Sequence, residues 1–208
     1  IPPGTDAVVK VEWTDGGTAA VRIDQPVEVG VNIRRRGEDV QAGVEVLSAA
    51  TVMGPAQLSA AAAFGHGEIL VHRRPRVCVI STGSELVEPG HTASLPLGAI
   101  FDSNSFALQA LASRADADAI RVVAVGDDDP EHARSVLDQA AETSDLIVTT
   151  GGVSAGAYEV MKDVLASVST VEFLQVAMQP GRPQGLGTYA DVPILTFPGN
   201  PVSAFVSF

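Results

Sequence analysis

The pattern of hydrophobic and polar residues divides the chain into two regions. In the first 48 residues, short valine-rich stretches partly alternate between apolar and polar positions, and glycine-containing turns separate them. This pattern predicts strands at Ala7–Trp13, Thr18–Asp24, Val27–Ile33 and Val44–Leu47. A helix is predicted at Pro55–Phe64, because a proline lies in its first turn and Gly65 directly follows it. Residues 1–75 are therefore expected to form a smaller β-rich segment with one helix.

From residue 76 the pattern changes to apolar strand runs that alternate with helices. The runs predict strands at Val77–Ile80, Ala119–Val125, Leu146–Thr149, Val171–Ala177 and Pro193–Phe197. The segments between them predict helices at Ser103–Ser113, Pro130–Thr143, Tyr158–Ser167 and from Val202 onward. Such alternation is typical of βαβ units. Residues 76–208 are therefore expected to form an α/β domain with a doubly wound, mostly parallel sheet.

Composition and charge exclude several classes of protein. Of the 208 residues, 46% are hydrophobic, which is too many for a disordered polymer. No apolar run approaches the roughly 20 residues that a membrane span needs. The formal net charge of −12 provides no basic surface for nucleic acid. A single cysteine excludes an internal disulfide framework, as is typical of a reducing cytoplasm. Together these features predict a cytoplasmic protein that binds neither nucleic acid nor membranes.

Glycine-containing turns follow several of the predicted strands, at the edge where ligands bind in open α/β sheets. Backbone N–H groups at glycine approach an anion closely, the next helix N-terminus adds a positive dipole, and nearby hydroxyls add donors. The candidate binding residues are Ser81, Thr82, Gly83, Thr150, Gly151, Gly152, Pro180, Gly181, Pro198, Gly199 and Asn200. They predict an anion or nucleotide site, although neither the G-x-G-x-x-G nor the P-loop fingerprint occurs. The letters around Ser154 fit a hydrolase G-x-S-x-G pattern, but no histidine follows, which disfavours a hydrolase.

Carboxylates gather beside the same turns. Glu85 follows the first turn, Asp102 precedes a predicted helix, and Glu159 lies at the start of another. Oxygen ligands near a phosphate site suit Mg²⁺, which takes one or two carboxylates together with substrate oxygens and water. The alternative is structural: Asp102 or Ser103 would cap a helix and Glu159 would compensate a helix dipole. Both interpretations remain open on these residues alone.

Five motifs occur in a characteristic order along the chain. They are Thr82–Leu86, Asp102–Asn104, Thr150–Ser154, Gln179–Pro183 and Phe197–Ser203. Together with Gly4–Val9 and Arg36–Asp39, they closely resemble the molybdopterin molybdenumtransferase family, which includes the gephyrin E domain. The resemblance covers nearly the whole chain. It also indicates that the chain is a fragment, without the family's N-terminal region and C-terminal β domain.

The resemblance implies insertion of molybdate into the dithiolene of adenylylated molybdopterin, with release of AMP. It implies Mg²⁺ as cofactor, a homodimer, and a molybdopterin adenylyltransferase as a candidate partner. The catalytic acids would be Asp6, Glu85, Asp102 and Glu159, with Glu85 and Asp102 as metal ligands. To the binding residues above, the resemblance adds Ser103, Asn104, Ser154 and Arg182.

Some positions depart from the family's pattern. Glu159 stands where aspartate is common, and Gln175 and Gln179 stand where many members have lysine, which removes positive charge available to an anion.

Two alternative functions remain open. One is a molybdopterin adenylyltransferase on the same fold, which the segment before residue 76 disfavours. The other is a non-catalytic module that binds molybdopterin or serves as a scaffold.

Overall fold

A computed structural model of the chain describes residues 1–91, 94–126, 129–152, 160–168 and 170–208. These residues divide into two compact units, Ile1–Val71 and His72–Phe208. Within the described ranges, no helix has both the length and the apolar character needed to cross a membrane.

The first unit has little regular secondary structure. A single 3₁₀ turn lies at Val11–Trp13, and helix α1 spans Pro55–Ala63. An isolated antiparallel bridge joins Thr14 to Ile23. Throughout residues 1–71, all of which are described, Ala61 alone is fully buried. The helix predicted from the sequence is confirmed, and its C-terminal end is one residue earlier than expected.

The strands predicted before residue 48 are wrong. The backbone turns repeatedly there, with positive φ at Gly4, Gly16, Gly30, Gly37 and Gly43. Alternation of apolar and polar residues stabilises a strand where one face is covered, because strand propensity largely reflects packing on that face. In these predicted strands no apolar residue is fully buried, and some are largely exposed, such as Val29 at 74%. Short extended segments without a buried face do not form stable strands on their own.

The second unit is an α/β domain. Its strands, within the described residues, are β1 (Arg76–Thr82), β2 (Leu86–Val87), β3 (Ile100–Phe101), β4 (Asp118–Val125), β5 (Leu146–Thr150), β6 (Glu172–Gln175), β7 (Pro183–Tyr189) and β8 (Val192–Phe197). Six of them form one sheet in the order β4-β1-β5-β8-β7-β6, and β2 pairs with β3 in a separate parallel ribbon. The pairs from β4 to β8 are parallel, whereas β7 is antiparallel to both its neighbours. The expected mostly parallel sheet is confirmed.

Helices cover both faces of this sheet. They are α2 (Asn104–Arg114), α3 (Pro130–Thr143), α4 (Val160–Val168) and α5 (Pro201–Ser207). Successive side chains of a strand point to opposite faces. Accordingly, Val79 of β1 packs in one buried cluster with Leu108 of α2, and Ile80 packs in a second cluster with Leu137 of α3 and Leu165 of α4. The doubly wound architecture is therefore confirmed as well.

Strand β7 has no counterpart among the predicted strands. Its sequence contains two glycines and begins with proline, which is typical of a loop. Both glycines are required by packing, since a Cβ on Gly187 would lie 2.6 Å from the Cα of Val171, and one on Gly185 would lie 2.3 Å from Oγ1 of Thr196. A two-residue loop, Ala190–Asp191, connects β7 to β8 with φ values of 47° and 65°. Such loops favour asparagine and glycine, so alanine and aspartate do not reveal the hairpin.

Candidate functional site

A cavity of about 570 Å³ opens at the carboxyl ends of β1, β5 and β8. The turns after these three strands line it, together with the first residues of α2 and α5 and the connection between β6 and β7. The lining includes these residues singled out from the sequence: Ser81, Thr82, Gly83, Glu85, Asp102, Ser103, Asn104, Thr150, Gly151, Gly152, Pro180, Gly181, Arg182, Pro198, Gly199 and Asn200. Residues from segments far apart in the sequence therefore meet around one space.

The strand order explains why these turns converge. After β1 the chain adds β4 on one side of that strand, and later adds β5 on the other side. The connections therefore reverse direction between β1 and β5, which is where ligands bind in open α/β sheets. Strand β6 runs in the same direction as β1, since two antiparallel pairings separate it from β8. The connection from β6 to β7, which contains Pro180 and Gly181, therefore lies at the same edge.

Gly151 fits a close approach between two of the turns. Its φ is +92°, and a Cβ there would lie 2.3 Å from the carbonyl oxygen of Thr82. Its N–H donates to the carbonyl of Phe197 at 3.0 Å, which links the ends of β5 and β8. Gly152 follows with φ +64°. Any larger residue at Gly151 would separate the turns that form the cavity floor.

Asn104 joins the start of α2 to the other two turns. Its side-chain amide donates to the carbonyl of Gly199 at 2.7 Å and to Oγ1 of Thr150 at 3.1 Å. The hydroxyl of Thr150 in turn donates to the carbonyl of Pro198 at 3.1 Å. Asn200 caps α5, because its Oδ1 accepts the N–H groups of Val202 and Ser203 at 3.0 and 3.2 Å. These side chains hold the cavity wall together.

Asp102 both caps a helix and lines the cavity. It is 1% exposed, and its carboxylate accepts the backbone N–H of Ser105 in the first turn of α2 at 3.2 Å. Ser103 occupies the N-cap position without a side-chain capping bond. The hydroxyls of Ser81 and Ser105 also donate to Asp102, each at 2.6 Å. The capping role considered for Asp102 is therefore present, together with a place in the cavity wall.

Glu85 lies close to the first glycine turn. A Cβ on Gly83 would lie 2.6 Å from its Oε2, so the carboxylate folds back over that turn. The neighbouring ribbon, β2 with β3, ties this segment to Asp102, because the N–H of Ile100 donates to the carbonyl of Glu85 and that of Asp102 to the carbonyl of Val87. In the described part of the chain, no group of three or more His, Cys, Asp or Glu residues could hold a metal ion.

Three of the predicted site residues, Asp6, Ser154 and Glu159, stay predictions. Asp6 belongs to the first unit, and Ser154 and Glu159 lie outside the described residues. Gln179 lines the cavity, whereas Gln175 lies in β6 and is not part of the lining. Their functional roles stay predictions.

The cavity has an apolar wall that the sequence did not predict. Leu86, Ile100 and Phe101 of the β2–β3 ribbon form it. Each strand of this ribbon has two residues, which is too short for a periodic pattern to reveal. Ser105 was missed too, because only its contact with Asp102 distinguishes it from any other helix serine.

Cys78 is not part of the site. It is 1% exposed in β1, and burial raises the pKa of its thiol. Since the thiolate is the reactive form, this environment is that of a core residue.

The chain is similar to known proteins along its whole length. Residues 78–208 match the model of a family described as "Probable molybdopterin binding domain", and residues 1–65 match "MoeA N-terminal region (domain I and II)". The chain is 50% identical to molybdopterin molybdenumtransferase 2 of Mycobacterium tuberculosis, with 100% of the chain and 52% of that protein covered. It is 36% identical to the molybdopterin molybdenumtransferase of Haemophilus influenzae, with 100% and 51% covered.

A solved structure agrees with the fold. The molybdopterin biosynthesis MoeA protein from Pyrococcus horikosii superposes with a TM-score of 0.76 at 28% identity. The alignment covers 100% of this chain and 51% of that one. The chain thus spans about half the length of the relatives that it matches.

Proposed function

Since the chain belongs to the molybdopterin-binding domain family, we propose that it acts in molybdenum cofactor biosynthesis as the substrate-binding part of a molybdopterin molybdenumtransferase. The reaction inserts molybdate into the dithiolene of adenylylated molybdopterin and releases AMP. The observation that carries this proposal is the convergence of glycine turns, carboxylates and an apolar wall on one cavity. Its volume of about 570 Å³ lies within the usual range of small-molecule sites.

Each part of the cavity suits a part of this substrate. The N–H groups of Gly83 and Gly151 already donate to backbone carbonyls. The phosphates would be held by other backbone N–H groups of the glycine turns and by the positive N-terminal end of α2, with the guanidinium of Arg182 as a counter-charge. The flat pterin would lie against the apolar wall of Leu86, Ile100 and Phe101. The substrate is thus both bound and oriented by residues that the fold holds rigidly.

The acidic residues fit Mg²⁺. Glu85 and Asp102 line the cavity and supply only oxygen donors, and Mg²⁺ needs one or two carboxylates besides water and substrate oxygens. When bound, the ion would neutralise negative charge on the substrate's pyrophosphate. Glu85 and Asp102 would hold it, and the roles of Asp6 and Glu159 as further acids belong to the same proposal. The ion would also reconcile an anionic substrate with a chain of net charge −12.

The proposal extends to partners and location. It includes a homodimer in the cytoplasm that receives its substrate from a molybdopterin adenylyltransferase. An adenylyltransferase activity of the chain itself is not favoured, because residues 1–65 match the MoeA N-terminal region. A non-catalytic binding module is the second candidate. Gln179 favours this second candidate, because its side chain is neutral. Among the described residues of the cavity lining, Arg182 is then the one cationic residue available to an anion.

Molybdate-dependent release of AMP from adenylylated molybdopterin, in the presence of Mg²⁺, tests the proposal. Glu85→Gln should reduce the rate by about 100-fold, because it removes a carboxylate charge from the site without changing its size. Glu142→Gln, the same change on an exposed residue of α3, should leave the rate unchanged. Substrate binding without any AMP release would favour the binding module, and an equal loss in both variants would refute the role of Glu85.

A further inference from the structure

The two carboxylate oxygens of Asp102 have different surroundings. Oδ2 accepts two hydroxyl groups, from Ser81 and Ser105, each at 2.6 Å. Oδ1 accepts the backbone N–H of Ser105 at 3.2 Å. An ionised carboxylate has about four acceptor positions, two on each oxygen. Both acceptor positions of Oδ2 are therefore occupied within the described structure, whereas Oδ1 retains one, and Asp102 is among the residues that line the cavity.

Arg121 contacts the hydroxyl oxygen of Ser105, whose hydrogen is directed to the carboxylate of Asp102. Nη1 of Arg121 lies 3.4 Å from Oγ of Ser105. A guanidinium group donates hydrogen bonds and cannot accept them. The Ser105 oxygen must therefore accept from Arg121, and its own hydrogen goes to Asp102. The result is a directional chain of hydrogen bonds from Arg121 through Ser105 to Oδ2 of Asp102.

Arg121 is itself fixed by Glu88, which directly follows β2, and by Phe106 of α2. Its guanidinium forms a forked ion pair with Glu88, with Nη1 2.9 Å from Oε2 and Nη2 in contact with Oε1. The two side chains are 17% and 13% exposed. The guanidinium also stacks 3.7 Å from the ring centroid of Phe106. The hydrogen bond to Arg121 lowers the pKa of Glu88, so the pair stays ionised at neutral pH.

We propose that Ser105 and Arg121 are positioning residues that keep Oδ1 of Asp102 available to the Mg²⁺ of the proposed function. Ser105 is fully buried and outside the cavity lining, so it acts through Asp102 rather than on the substrate. Its hydroxyl fills the second acceptor position of Oδ2 and prevents the carboxylate from rotating. The inference rests on the proposed function, and it adds to it the residues that orient the metal-binding carboxylate.

The dissociation constant of adenylylated molybdopterin, measured by calorimetry in Mg²⁺ and again in EDTA, tests this proposal. Ser105→Ala should raise the constant about 10-fold in Mg²⁺, as expected when a partner of a metal ligand is lost, and leave it unchanged in EDTA. A merely structural defect would weaken binding in both conditions. Ser113→Ala is the matched control, because it makes the same change at the exposed end of the same helix. Its dissociation constant should equal that of the parent in Mg²⁺ and in EDTA.

Arg121→Met tests the route through Ser105. Introduced into the parent chain, this change should weaken substrate binding in Mg²⁺. Introduced into the Ser105→Ala variant, it should have no further effect, since the hydroxyl oxygen that Arg121 contacts is then absent. If the fold-changes of the dissociation constant caused by Arg121→Met and Ser105→Ala multiply in the double variant, the proposed relay is wrong. Ser105→Ala with parental affinity in Mg²⁺, or with an equal loss in EDTA, would also overturn it.

The proposed function can fail separately from this inference. A parent chain that binds the substrate equally well in Mg²⁺ and EDTA overturns the inference and leaves the substrate assignment standing. A parent chain that does not bind adenylylated molybdopterin in either condition refutes both.

Discussion

A hydrogen bond of Tyr189 joins the last hairpin of the sheet to helix α3. Its hydroxyl donates to Oδ1 of Asp138 at 2.6 Å, and the residue is 4% exposed. Burial raises the pKa of Tyr189 to about 12, and the hydrogen bond to Asp138 adds to the shift. An unfolded tyrosine ionises near pH 10, so between about pH 10 and 12 the native state binds more protons than the unfolded state. The contribution of Tyr189 to stability is therefore complete below about pH 10 and is lost as the pH rises to about 12.

Asp138→Ala should lower the pKa of Tyr189, because it removes both the hydrogen bond and the negative charge beside the hydroxyl. Absorbance at 295 nm, which follows tyrosinate, measures the effect. Parent and variant each contain a second tyrosine, Tyr158, as an internal comparison. If Tyr189 of the parent ionises near pH 10, or if Asp138→Ala leaves its titration unchanged, the described contact is wrong.

Among the elements, those with a clear buried face were predictable from the sequence. The central strands are buried on both faces and helix α3 on one, and the predicted range Pro130–Thr143 matches α3 at both ends. Strand β7 was not predictable, because its glycines are required by tertiary contacts with Val171 and Thr196 rather than by a local pattern. The strands expected before residue 48 were wrong for the converse reason. Their local pattern suits a strand, but no core covers either face.

Helix α5 depends on its cap. It has seven residues, too few to be stable alone, and Oδ1 of Asn200 accepts two of its first N–H groups. Asn200→Ala should reduce the free energy of unfolding by about 1 kcal/mol, measured by urea denaturation. Asn200→Asp should stay close to the parent, because aspartate is an equally good cap. Equal stability of the alanine and aspartate variants would show that the cap does not support α5.

At the scale of the whole molecule, the cavity exists because distant segments converge on one edge of the second unit. The sequence revealed the glycine turns and the carboxylates Glu85 and Asp102, since their residue types and order carry the signal. It did not reveal the β2–β3 ribbon or the relay through Ser105 and Arg121. Those features depend on which side chains meet after folding, and Ser105 lies 16 positions from Arg121.

Backbone amide shifts measured by NMR show whether this cavity binds adenylylated molybdopterin. The 208-residue chain would be titrated with the compound in the presence of Mg²⁺. We expect the largest shifts at the cavity amides of Gly83, Asn104, Gly151, Gly181 and Gly199. The exposed face of α3, on the other side of the sheet from α2, should not respond. Saturable binding with its largest shifts away from the cavity, or no shifts at all, would contradict the account.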